Sequence, residues 1–98
     1  MPYMIKTTDK LDSLAKRNEL RPAHIVYLDS QAHHILAAGA LLNDDGSGGH
    51  GGLILVSCDN RREAEEFINN DPFTKGGLFE AIEVTRWRKA YFDFKRLV

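Results

Sequence analysis

The sequence predicts an α+β fold whose elements run in the order β-α-β-β-α-β. Two patterns predict it. Short runs rich in β-branched and aromatic residues alternate with segments of helical spacing. A glycine-rich linker, NDDGSGGHGG, then separates two apolar runs that read as the arms of a β-hairpin.

Tyr3 to Thr8, rich in aromatic and β-branched residues, gives the first strand. In DKLDSLAKR, Leu11, Leu14 and Ala15 repeat at helical spacing with Asp9 available as a cap, which predicts a short helical turn. Pro22 suits the first position of a new helix, where its fixed φ and missing N–H are tolerated; that helix is expected to reach about His33. Ile35 to Leu42 reads as the second strand and Gly52 to Cys58 as the third. Asn60 with Glu63 three residues on resembles a capping box. It opens a helix to about Asn70, with Ala64, Phe67 and Ile68 facing inward. GLFEAIEVTRW, from Gly77, gives the last strand. This order is the ferredoxin-like split βαβ arrangement with an antiparallel sheet.

A sheet with one wet face alternates apolar and polar residues. The middle strands do not: Leu53 to Val56 are apolar on both sides, as are most residues of 36–42. Two helices cover only one face. A second copy of the sheet is the simplest cover for the other, so the sequence predicts a homodimer with its sheets packed face to face.

The chain has 98 residues, which is one domain's worth, 1–98. With 43% hydrophobic and 28% charged residues it is expected to fold as a globule. A net charge of −1 gives no global attraction to nucleic acid or to a membrane surface. The longest apolar run, Ile35 to Leu42, is far too short to cross a bilayer. Cys58 is the single cysteine, which rules out an internal disulfide and suits a reducing compartment. MPYMIKTTDK shows no basic region followed by an apolar stretch, so no signal peptide is expected and the reading is cytoplasmic.

On a helical wheel, His24 shares a side with Leu20, Ile25, Tyr27 and Leu28, opposite Asp29, Ser30 and His33. It therefore points where the core belongs, and a core imidazole needs a hydrogen-bond partner. In a ferredoxin-like domain the start of the first helix lies near the end of the second. There Asp71 continues the inward face of Phe67 and Ile68, and the Asp71-Pro72 step stops the helix. Topology thus brings His24 and Asp71 together. A carboxylate on one imidazole nitrogen fixes the tautomer, which is the minimum equipment for general acid–base catalysis. The same pair could equally be structural, since inward histidines are usually hydrogen-bonded core residues and Asp-Pro is a common turn former.

The segments DKLDSLAKRNELRPAHIVYL, ILAAGALL and AEEFINNDPFTKGGLFEAIEV together resemble the YciI-like, or YCII-related, family of small bacterial proteins, from about Tyr3 to Trp87. The resemblance implies a ferredoxin-like dimeric α/β barrel. It also implies an active-site pair formed by a histidine early in the first long helix and the aspartate of the Asp-Pro step, which match His24 and Asp71. Most of that family has no assigned reaction. One relative removes chloride from a chlorinated hydroxyhydroquinone, and the fold resembles that of muconolactone isomerase. Ser13, Arg17 and Arg21 match the family's early segment as well. The arginines could fork onto an anionic substrate, or could be solvated helix residues in ordinary ion pairs.

Other motifs carry less. Adjacent histidines on a helix diverge by about 100°, so His33 and His34 make a poor chelate, and His50 lies in the glycine-rich linker; no metal site is predicted. That linker lacks the Gly-Lys-Ser/Thr of a phosphate loop and reads as a flexible turn. Cys58 has no activating neighbour in the pattern. Residues 88–98 form a basic aromatic C-terminal extension whose aromatics are expected to dock on the partner subunit or on the chain's own surface, with the cations pointing outward.

The sequence therefore predicts a small homodimeric enzyme of lyase or isomerase type, acting on a small anionic, aromatic or lactone-like metabolite. His24 moves the proton, Asp71 orients it, and Arg17, Arg21 and Ser13 are candidates for substrate contact. No cofactor is implied. The alternative is a non-catalytic ligand-binding or regulatory module of the same fold.

Overall fold

The computed structural model describes residues 1–98. Strand β1 (Pro2–Asp9) leads into helix α1 (Leu14–Ser30), a 3-10 turn (Ala32–His34) and strand β2 (Ile35–Leu41). Strand β3 (Gly51–Ser57), helix α2 (Arg61–Asn69), the four-residue helix α3 (Pro72–Lys75) and strand β4 (Phe79–Arg86) follow. A small hairpin, β5 (Tyr91–Phe92) and β6 (Lys95–Arg96), ends the chain. The main sheet has the order β2-β3-β1-β4 with every pairing antiparallel, which is the expected ferredoxin-like topology.

The core lies between the sheet and α2. Strand β1 alternates: Tyr3, Ile5 and Thr7 are buried on the helix face, next to Ile54 and Val56 of β3. Ala64, Phe67 and Ile68 of α2 close over them. Burying each large aliphatic or aromatic side chain there contributes about 1.5–3 kcal/mol. The Asn60 side chain caps α2 by accepting from the Glu63 N–H at 3.0 Å, as its spacing predicts.

Helix α1 differs from expectation. It is one continuous helix, and Pro22 lies inside it rather than opening it. Proline removes the bond to the Asn18 carbonyl, normally a cost of about 3 kcal/mol. Asn18 and Pro22 are both exposed, so water can take that carbonyl. The helix ends at Ser30, and His33 and His34 fall in the 3-10 turn beyond it. There the two imidazoles lie 4.0 Å apart between centroids, with their planes tilted by 43°.

After α2 the Asp71-Pro72 step stops one helix and starts another, since proline is well suited to the first position of α3. Helix α1 packs on α3, and the two approach so closely that a side chain at Gly76 would collide with Leu20.

The far face of the sheet is bare in a single chain. Over β2 and β3 it is apolar, with Ala37 beside a partly buried Leu55 and a 40% exposed Leu53. Over β1 and β4 it carries Lys6 opposite Glu83, so the face is mixed rather than uniformly apolar. No helix is long and apolar enough to cross a membrane.

The C-terminal hairpin was not foreseen. Asp93 and Phe94 form its two-residue turn, both at positive φ (54° and 63°), which matches the right-handed twist of the strands. Tyr91 and Phe94 do not dock on the chain's own surface, being 66% and fully exposed, whereas Phe92 is half-buried with Lys89 over its ring.

Candidate active site

Positions 17, 21, 24 and 28 recur at intervals of four, three and four, so Arg17, Arg21, His24 and Leu28 form one stripe along α1. All four line a cavity of about 220 Å³ between that helix and the sheet. Thr7 of β1, Ile54 and Gly52 of β3, and Asp71 and Phe73 from the α3 region complete much of the wall.

The His24 Nδ1 lies 2.9 Å from both carboxylate oxygens of Asp71. The Asp71 carboxylate is fully buried and the imidazole is 15% exposed. The position of Asp71 is set locally. It is the N-cap of α3, and its Oδ1 accepts the Phe73 N–H at 2.9 Å. His24 is placed by packing: its ring stacks on Phe73, centroids 3.9 Å apart and planes 14° from parallel. The pairing foreseen between these segments therefore forms, but by another route. His24 lies in the middle of α1, not in its first turn, and it meets the start of α3 rather than the end of α2.

The other candidates separate. The Arg17 guanidinium is tied down: Nη1 donates to both oxygens of Asp9 (2.9 and 3.1 Å), and Nη2 donates to the Gly51 carbonyl at 3.1 Å. It also sits 4.9 Å from the centre of the Phe73 ring. Arg17 thus fastens α1 to β1 and β3, and Asp9 serves as its counter-ion rather than as a helix cap. Arg21, by contrast, is exposed at the cavity and has no carboxylate partner. Ser13 does not reach the cavity, because its hydroxyl turns back to the Leu11 carbonyl at 3.3 Å. Sequence reasoning missed Thr7 and Phe73. The signal for Phe73 was its place two residues after a capping aspartate.

A second hollow of about 500 Å³ opens beside α2, lined by Tyr27, Cys58 and Glu63 among others. Burial, then the Glu63 charge, pushes the Cys58 thiol up, so it holds its proton and is a poor nucleophile. Burial, then the Asp71 charge, likewise pushes the Tyr27 phenol up; its hydroxyl donates to the Phe67 carbonyl at 2.7 Å.

Protein YciI of Escherichia coli O6:H1 is 31% identical over 98 residues, covering 93% of this chain and all of that protein; protein YciI of Shigella flexneri matches to the same extent. Among solved structures, the 5-chloro-2-hydroxyhydroquinone dehydrochlorinase TftG from Burkholderia phenoliruptrix AC1100, in complex with 2,5-dihydroxybenzoquinone, superposes with a TM-score of 0.83. It is 33% identical and covers 90% of this chain and 94% of its own. The model of the YCII-related domain matches residues 1–88, leaving out most of the basic aromatic tail, and the chain belongs to that family.

Proposed function

We propose that this protein is a small-molecule enzyme of lyase or isomerase type, in which His24 moves a proton on a compact anionic substrate and Asp71 holds it in position. One observation carries the reading: a fully buried carboxylate embraces Nδ1 of a histidine that lines a cavity. With Nδ1 occupied, Nε2 is the nitrogen left to take a proton from a ligand or return it. The negative charge of Asp71 offsets the positive charge that develops on the imidazole meanwhile. The unpaired Arg21 supplies a cation for the substrate's anionic oxygen. The cavity, about 220 Å³, is smaller than the ~300–1,000 Å³ of sites for drug-sized ligands. One substituted ring suits it, and the likeness to a dehydrochlorinase of hydroxylated aromatics supports that choice.

The working form is a homodimer joined through the bare sheet faces. Leu53, 40% exposed on the bare face between Gly39 of β2 and Lys6 of β1, supports this, as does the modest core of a 98-residue chain. Light scattering on the wild type and on Leu53→Asp tests it: a monomeric wild type overturns the dimer.

The catalytic reading is tested by chloride release from 5-chloro-2-hydroxyhydroquinone, followed by a panel of hydroxylated aromatic acids and lactones. On any compound the wild type converts, His24→Asn is expected to lose about 10²–10⁴-fold in rate. An unchanged rate sinks the mechanism. Saturable binding without turnover favours the regulatory module instead.

A further inference from the structure

We infer that Thr7 is a ligand-positioning residue, whose hydroxyl on the cavity floor holds a neutral hydroxyl or carbonyl oxygen of the molecule lying between the sheet and His24. The inference rests on the reading of that cavity as a ligand site.

Thr7 follows Tyr3 and Ile5 on the helix face of β1, where an aliphatic side chain would simply extend the core. It is 2% exposed and lines the same cavity as His24. Other hydroxyls in the helical layer are satisfied within the chain. Tyr27 donates to the Phe67 carbonyl and Thr74 to the Ile68 carbonyl. The Thr7 hydroxyl makes no such bond within the chain and keeps its oxygen accessible from the cavity, whereas the one fully buried side-chain oxygen without a partner is Glu63 Oε2.

Its neighbours keep it uncovered. Thr7 pairs across the sheet with Gly52 of β3, and a Cβ at Gly52 would lie 3.3 Å from the Thr7 hydroxyl oxygen. Glycine there leaves the hydroxyl open toward the cavity, and Gly39 of β2 lines the same floor. The hydroxyl is therefore presented to the cavity, where a ligand oxygen can reach it.

The chemistry narrows the ligand. A hydroxyl both donates and accepts without charge, which suits a neutral oxygen. Arg21, on the α1 side, suits an anionic one. The cavity thus fits a single ring that carries a neutral oxygen toward the sheet and an anionic oxygen toward α1, with His24 within reach of the atoms between.

Calorimetric titration with 2,5-dihydroxybenzoquinone, paired with thermal melting, tests the assignment. Thr7→Val keeps the shape and removes the hydroxyl; it is expected to weaken binding about tenfold or more, with the melting temperature unchanged or raised. Thr7→Ser is expected to stay within about threefold of the wild type, since it restores the hydroxyl. A Thr7→Val variant that binds like the wild type overturns the Thr7 role and leaves the cavity reading standing. So does a Thr7→Val variant whose melting temperature falls with its affinity, because that marks a structural hydroxyl. A wild type that binds no probe overturns the ligand site and the Thr7 role together.

Discussion

Phe73 holds His24 in two ways. Its ring lies flat against the imidazole at 3.9 Å, and its backbone N–H donates to the carboxylate that grips Nδ1. Phe73→Leu keeps the second link and loses the first. At a site 3% exposed it is expected to cost about 1–2 kcal/mol of stability. Turnover is expected to fall further than the unfolded fraction explains. Urea unfolding and rate measurements on one preparation check this.

Asp71 separates charge from capping. Asp71→Asn retains an acceptor for the Phe73 N–H but loses the charge beside His24. It is expected to stay folded while turnover drops by a factor on the order of 10²–10⁴. Asp71→Ala also loses the cap, a further ~1 kcal/mol. Circular-dichroism melts beside initial rates distinguish the two variants.

The Asp9–Arg17 pair is nearly dry, with side chains 4% and 10% exposed. Removing one partner strands a charge, so Asp9→Asn is expected to cost about 3–5 kcal/mol. Replacing both, as Asp9→Leu with Arg17→Met, is expected to recover much of that loss. Denaturant titration of the single and double variants gives the coupling.

Tyr27 supplies a pH marker. A raised phenol pKa means the folded state favours the protonated form. Its contribution to stability is complete below the unfolded value, near 10, and is lost as pH rises through the higher folded value. Tyr27 is therefore expected to ionise late in an ultraviolet titration. Tyr27→Phe is expected to remove that step, and Asp71→Asn to bring it part of the way down, since burial remains.

The tail hairpin carries strain that can be released. Phe94 sits at φ 63°, where a bulky side chain is disfavoured, and its ring touches little. Phe94→Gly creates Asp-Gly, the preferred pair for this turn, and is expected to raise the population of cross-strand contacts between Tyr91 and Arg96 in NMR spectra.

The strands and α2 were legible because their burial patterns and the Asn60 cap are local signals. Continuous α1 was not, because proline usually marks a boundary. Its solvent-facing placement, which makes it tolerable, is a tertiary fact. His24 and Asp71 were legible as a pair through topology, although the sequence misjudged which turn of which helix carried them. Thr7 left no trace: one threonine in a strand is ordinary, and its place in the cavity wall is visible only when α1 is set above it. Arg17 and Arg21 looked alike in sequence, and only Asp9 and the Gly51 carbonyl tell them apart.

The cavity takes its walls from β1, α1, β2, β3, α3 and β4, and His24 and Asp71 alone stand 47 positions apart in sequence. No fragment of the chain contains it. A compound that settles there ties the amino-terminal strand to the carboxy-terminal half, so it braces the whole native state against melting. At a hundredfold excess over its dissociation constant that bracing amounts to about 2.7 kcal/mol. Heat-denaturation screening of metabolite collections can therefore find the natural occupant before any reaction is known.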